Sequence, residues 1–236
     1  MLADLKQQVF EANLDLVKHG LVILTFGNVS GFDRKKGVMA IKPSGVSYAK
    51  LRPADMVLVD LEGKIVEGKL NPSSDTPAHL ALYRAFREIG GIAHAHSEYA
   101  TAFAQAVKEI PCLGTTHADH FNGAVPVTRF LTAKEVRDDY EGNTGKVIVE
   151  RFARLKPLEM PAALVAGHGP FCWGTTPAEA VKNNLALEKA AKVAVMTLLV
   201  NPEIKGLPAY ILRKHFLRKH GPLAYYGQKK GVRKHE

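Results

Sequence analysis

Cysteine is nearly absent. Cys112 and Cys172 are the only two in 236 residues, and they form no C-x-x-C pair. That excludes a disulfide framework and implies free thiols. Long apolar runs are missing as well: no stretch of about 18 residues escapes charge, so a membrane span is not expected. Met1-Leu2-Ala3-Asp4-Leu5-Lys6 lacks the pattern of a secretory leader, and the expectation is a soluble cytoplasmic protein. There is no internal repeat, no domain linker, no zinc-knuckle spacing and no RNP-type aromatic pattern. A body with 46% hydrophobic residues has ample length to bury a core.

Acidic residues are also scarce, 23 against 32 basic, for a net charge of +9. This imbalance alone would suit nucleic acid, but its distribution does not. From Arg213 onward stand eight basic residues and one acid, Glu236, so +7 of the charge sits there and +2 remains for the body. A basic end of this kind is a solvated tail that can attract an anionic small molecule.

Histidine is placed with a pattern. Gly90-Gly91-Ile92-Ala93-His94-Ala95-His96-Ser97 reads as a short buried strand. Alternation along a strand puts His94 and His96 on one face, about 7 Å apart at Cα, where two imidazoles can close on one metal ion. Asp75 in Pro72-Ser73-Ser74-Asp75-Thr76-Pro77 and His168 in Ala166-Gly167-His168-Gly169-Pro170 are the further candidate ligands. Three imidazoles and a carboxylate suit zinc or a similar divalent ion.

The other elements follow from periodicity and caps. A helix is predicted over 3–19 and a strand over 21–25. Gly27-Asn28-Val29-Ser30 then forms a turn that can also meet a phosphate. After a strand at 38–42, Lys42, Ser44 and the Gly45 N–H offer an anion contact, and 56–66 reads as a hairpin turning at Glu62-Gly63. Thr76 is the expected N-cap, and Pro77 the first residue, of a helix running to Ile89; Ser73 and Ser74 add hydroxyl donors at its start. His79, inside this helix, fits a core histidine better than a ligand. A helix capped by Ser97 runs to Val107. The stretch 111–121 is rich in titratable groups: Asp119 is a candidate general base or turn carboxylate, while His117 and His120 fit supporting or surface roles. Thr132–Glu135 and Thr176–Glu179 are capping boxes. Helices are expected over 144–155, from 177 to about Val200 and over 208–219, with a buried strand at 162–166 and Trp173 in the core. Helices and strands alternate irregularly, which predicts a single α/β domain with a mixed sheet covered by helices.

Taken together, several stretches resemble the L-ribulose-5-phosphate 4-epimerase branch of the class II aldolase/adducin superfamily. They are Gly27-Asn28-Val29-Ser30, Lys42-Pro43-Ser44-Gly45, Ser73-Ser74-Asp75-Thr76-Pro77, His94-Ala95-His96, Thr116-His117-Ala118-Asp119, Gly167-His168-Gly169-Pro170-Phe171 and Arg218-Lys219-His220-Gly221. The resemblance spans 1–228 and leaves 229–236 as a basic extension; Ala166-Gly167 stand where relatives carry His-Ser. It implies a mixed, mainly antiparallel sheet sandwiched by helices. It also implies Asp75, His94, His96 and His168 as ligands of Zn2+, with Mn2+ or Co2+ as alternatives. Gly27, Asn28, Ser44, Gly45, Ser73 and Ser74 would hold a substrate phosphate, and Asp119 and Tyr226 would be the two acid/base groups. The implied reaction is inversion at C4 of a ketopentose phosphate by retro-aldol cleavage and re-addition through a metal-stabilised enediolate, as used in L-arabinose and ascorbate catabolism. The implied assembly is a homotetramer with active sites between subunits, so that Tyr226 would come from a neighbour, with His215 and Arg218 as candidate cationic helpers. A sugar phosphate is the expected partner, with neither nucleic acid nor membrane. The rivals are a sugar-phosphate aldolase on the same fold, a dehydratase, and a non-catalytic adducin-like head.

Overall fold

The computed structural model describes residues 2–221 and 224–227; Gln228 and the basic extension expected at 229–236 lie outside them. Seven strands form one sheet: β1 (Asn28–Asp33), β2 (Val38–Ile41), β3 (Val57–Asp60), β4 (Ile65–Glu67), β5 (Gly91–His94), β6 (Ala162–Leu164) and β7 (Pro170–Gly174). Their order is β4-β3-β2-β1-β5-β7-β6. Every ladder is antiparallel; the parallel component of the expected mixed sheet is one bridge, Val127 to Leu164. The helices are α1 (Leu2–Lys18), α2 (Thr76–Ala85), α3 (Glu98–Gln105), α4 (Thr115–Ala118), α5 (Ala133–Arg151), α6 (Pro177–Val200) and α7 (Ala209–Lys219). None of the helices among the described residues is long and apolar enough to cross a membrane.

The sheet separates two apolar layers. Phe32, Met39, Ile41, Ile92, Phe171 and Trp173 belong to a large core shared with α2 and α5. Val29 and Ala93 pack against Ala12 and Leu16 of α1 and Ala180 and Val181 of α6. Trp173 is fully buried, as its sequence context predicts. A row of glycines sets how closely α6 approaches. Gly31 pairs with Gly91, and Gly91 with Gly174, across three neighbouring strands. A Cβ on Gly91 would stand 2.3 Å from the Pro177 nitrogen, one on Gly31 2.8 Å from Pro177 Cγ, and one on Gly174 2.6 Å from Glu179 Cγ. The N-terminus of α6 therefore rests directly on sheet backbone. Read from sequence, Gly90-Gly91 follows a helix and opens a strand; in the fold, Gly91 is also part of the seat for α6.

Four expected elements differ: Asn28-Val29-Ser30, expected as part of a turn, open strand β1, and only Gly27 keeps a turn conformation, with a φ of 97°. Residues 21–25 form no strand: Leu21 is buried, but Ile23 and Leu24 are exposed and Leu24 adopts a positive φ of 54°. Both sides of β1 are already paired, by β2 and β5, so this apolar run has no place beside β1. Helix α2 stops at Ala85 rather than Ile89, because the Arg34 guanidinium donates to the carbonyls of Tyr83, Phe86 and Ile89. Helix α5 starts at its predicted capping box, Thr132–Glu135, but breaks at Asp139, whose carboxylate accepts from Gly142 N at 3.0 Å and starts the helix afresh; it ends at Arg151.

Candidate metal centre and substrate pocket

Strand β5 ends at His94, not His96, yet Ala95 N still donates to Pro170 O and the two rings meet. His94 Nε2 lies 3.1 Å from His96 Nε2. His168 sits at the tip of the turn joining β6 to β7, where Gly167 takes a φ of +71° and Val165 N donates to Gly169 O. Its ring centroid is 4.8 Å from that of His94 and 4.9 Å from that of His96. One ring nitrogen from each histidine falls within 4.8 Å of the other two.

The surroundings prepare these nitrogens as ligands. The Pro170 carbonyl, 3.0 Å from His94 Nδ1, can only accept, so Nδ1 carries the hydrogen and Nε2 presents a lone pair. Burial lowers the pKa of His96, and burial with the fields of His94 and His96 pushes His168 down to about 4. Neutral imidazoles crowded this way suit a cation between them. Tetrahedral zinc bound at about 2.0–2.1 Å sets its nitrogens roughly 3.3 Å apart, and the His94–His96 separation fits that spacing.

Asp75 stands beside this group. It occupies the cap of α2, where Thr76 was expected; Thr76 is the first helical residue and Pro77 the second. Its carboxylate does not cap the helix but accepts from Asn28 Nδ2 at 2.6 Å. Burial raises its pKa, yet the His94 and His79 fields and the Asn28 bond outweigh that, and the net shift is downward. The same Asn28 amide donates to Ser73 Oγ at 3.1 Å. Two loops are zipped together here, Ser44 N to Asn71 O and Ser73 N to Lys42 O. Gly27 and Gly45 both need positive φ, 97° and 68°. A cavity of about 370 Å³ results. Its walls include Gly27, Asn28, Lys42, Ser44, Gly45, Ser73 and Ser74 on one side and Asp75, His94, His96 and His168 on the other. Hydroxyls, an amide, a loop N–H and a lysine suit a phosphate; convergent neutral imidazoles suit a divalent ion.

Tyr140 and Glu141 line the same cavity, and sequence reasoning missed both. The signal was present in Asp139 and Gly142, a cap and a glycine with no room for a Cβ beside the Asp139 carboxylate. That break in α5 is what brings Tyr140 and Glu141 to the pocket wall.

Asp119 and Tyr226 are not among the residues lining this cavity. They gather elsewhere, around α7. Asp119 accepts from Arg218 Nε at 2.8 Å and from Arg218 Nη2, and lies 3.1 Å from His215 Nδ1 and 3.5 Å from Lys219 Nζ. Burial raises its pKa, but the bonds from Arg218 and His215 and the Lys219 charge overcome this and lower it. The Tyr226 ring lies under the same cations, 4.9 Å from the Arg218 guanidinium and 4.5 Å from Lys219 Nζ. The two candidate acid/base groups thus share one cationic cluster within the chain, apart from the histidines. His117 and His79 are buried, His79 in the core as expected.

An antiparallel sheet between helical layers, with three convergent histidines that fit a metal site beside a pocket of hydroxyl and amide groups, is an arrangement of the class II aldolase type. Residues 7–195 match the Class II Aldolase and Adducin N-terminal domain, and the chain belongs to this family. It is similar to an L-fuculose 1-phosphate aldolase at 29% identity and a TM-score of 0.77, over 91% of this chain and 95% of that one. A putative aldolase/epimerase/decarboxylase, YgbL from Klebsiella pneumoniae, matches at 26% identity and a TM-score of 0.72, over 89% and 97%. The L-fuculose-1-phosphate aldolase of Thermus thermophilus matches at 27% and 0.67, over 86% and 100%.

Proposed function

We propose that this chain is an L-ribulose-5-phosphate 4-epimerase, inverting C4 to give D-xylulose 5-phosphate by breaking and re-forming the C3–C4 bond. The observation that carries the reading is the union, in one pocket, of the three histidine nitrogens with the hydroxyl and amide groups of Asn28, Ser44, Ser73 and Ser74.

The C4 hydrogen is not adjacent to the C2 ketone, so simple deprotonation does not make inversion easy. Cleaving C3–C4 removes that obstacle. His94, His96 and His168, with Asp75 as the fourth ligand, would hold a divalent ion, zinc the first choice, which when bound would supply Lewis acidity to a substrate carbonyl. Gly27, Asn28, Ser44, Gly45, Ser73 and Ser74 hold the phosphate, and with it the aldehyde fragment, while the carbonyl turns its other face. Asp119 and Tyr226 move the C4 hydroxyl proton on the two faces, with Tyr226 contributed to the pocket by a neighbouring copy in a homotetramer. Arg218 and Lys219 beside Asp119 favour its charged carboxylate.

A second reading, a sugar-phosphate aldolase, is favoured by the likeness to L-fuculose 1-phosphate aldolase. Phosphorus and proton NMR of L-ribulose 5-phosphate with metal-loaded protein separates the two. Accumulation of D-xylulose 5-phosphate without free fragments supports the epimerase. Net release of glycolaldehyde phosphate and dihydroxyacetone establishes the aldolase, and no change with metal bound removes this substrate.

A further inference from the structure

Behind Asn28 and Asp75 the core holds a row of polar groups outside the cavity. Tyr83 is fully buried, and its Oη lies 2.9 Å from Ser30 Oγ, which lies 2.7 Å from His79 Nδ1. Burial pushes the Tyr83 pKa up, so the phenol keeps its hydrogen and needs an acceptor; Ser30 Oγ is the one beside it. Ser30 then has one hydrogen to give, and it goes to His79 Nδ1. The hydrogen of His79 is therefore on Nε2.

That Nε2–H is buried and has no acceptor among the described residues. Two residues before Ser30, on the same face of β1, stands Asn28. Its Nδ2 is committed to Ser73 Oγ and Asp75 Oδ2, which leaves its Oδ1 buried and without a donor. Buried polar atoms are rarely left unpaired, and a leftover donor on α2 and a leftover acceptor on β1, both next to Ser30 or Asp75, answer each other. His79 also sits one turn into α2 from Asp75, its N–H bonded to Asp75 O at 3.0 Å.

We infer that His79 is a positioning residue for Asn28 and Asp75: its Nε2–H serves Asn28 Oδ1 through one buried water, which fixes the amide with Nδ2 toward the Asp75 carboxylate. The row Tyr83–Ser30–His79 sets the orientation of a group that borders the metal pocket, without touching substrate. The inference about metal affinity rests on the metal reading above; the inference about the hydrogen does not.

Two measurements test it. In metal-free protein, long-range proton–nitrogen NMR of the His79 ring reads its tautomer. The Nε2-protonated form is expected, and the Nδ1-protonated form overturns the relay whatever the protein catalyses. Zinc affinity by chelator competition reads the consequence. His79→Gln keeps a donor near the Nε2 position and is expected within about twofold of wild type. His79→Asn keeps only the end that meets Ser30, and is expected to bind zinc about tenfold more weakly, the usual size for a lost supporting group. Equal affinities in the two variants overturn the positioning role. Should neither variant fold, the wild-type tautomer decides. Should wild type bind no zinc, the metal reading fails and the tautomer still decides the relay.

Discussion

His117 offers a clean acid-sensitivity experiment away from the metal centre. It lies on the short helix α4, is 5% exposed, donates from Nε2 to Gly123 O at 2.7 Å and meets the Phe121 ring edge-on. Burial pushes its pKa down to about 4. In the unfolded chain an ordinary histidine titrates near 6.5. The sign follows: the neutral ring is favoured in the folded state, so this contribution to stability is complete above pH 6.5 and is lost as the pH falls toward 4. Each pH unit over which only the unfolded chain holds the proton costs about 1.4 kcal/mol. Between pH 7 and pH 5 the folded ring takes up about a tenth of a proton and the unfolded one about 0.7, ending nearly fully protonated, and integration gives about 1.9 kcal/mol. His117→Gln keeps a donor for Gly123 O and removes the titration. Urea unfolding at both pH values, with chelator present so that metal release does not contribute, should show wild type losing about 2 kcal/mol more than the variant. His79, His120 and His168, whose pKa values burial pushes down to about 3, 4 and 4, titrate in both proteins and cancel in the difference. Equal losses in the two proteins would refute the reasoning.

His96→Asn removes one of three convergent nitrogens and should leave the purified protein with much less bound metal by elemental analysis; full occupancy would argue against ligation. Tyr226→Phe should retain metal yet lose most turnover in the NMR assay, and near wild-type turnover would remove the acid/base role. Gly91→Ala places a methyl against the backbone of Thr176 and Pro177, which cannot swing aside as a side chain can; a loss of about 2–3 kcal/mol is expected from urea midpoints, and an unchanged midpoint would mean α6 is less closely seated.

By itself the sequence determined the local chemistry of this protein. The capping box at Thr132–Glu135 starts a helix where predicted, and Trp173 is in the core. His94, His96 and His168 could be named as partners because glycine-bounded strands and turns are short-range features, and the motifs around them are specific. Asp75 and the Ser73-Ser74 loop were legible for the same reason. What tertiary structure decided was everything that depends on a neighbour distant in sequence. Residues 21–25 look like a strand, but β1, the strand that follows them, is already paired on both sides. Thr176 caps α6 as expected, whereas Glu179 turns to Thr175, since Gly174 lets the helix lie against the sheet. Ser97 leads into α3, but the Glu188 carboxylate takes the N–H groups of Tyr99 and Ala100. Tyr140 and Glu141 join the pocket only because α5 breaks at Asp139. His215 and Arg218 carry nothing in sequence that assigns them to Asp119, because pairing across 96 and 99 residues is set by how α7 docks beside α4. Periodicity and caps are written in neighbours a few residues apart; burial, pairing and the convergence of a site are decided by which surfaces the folded chain brings together.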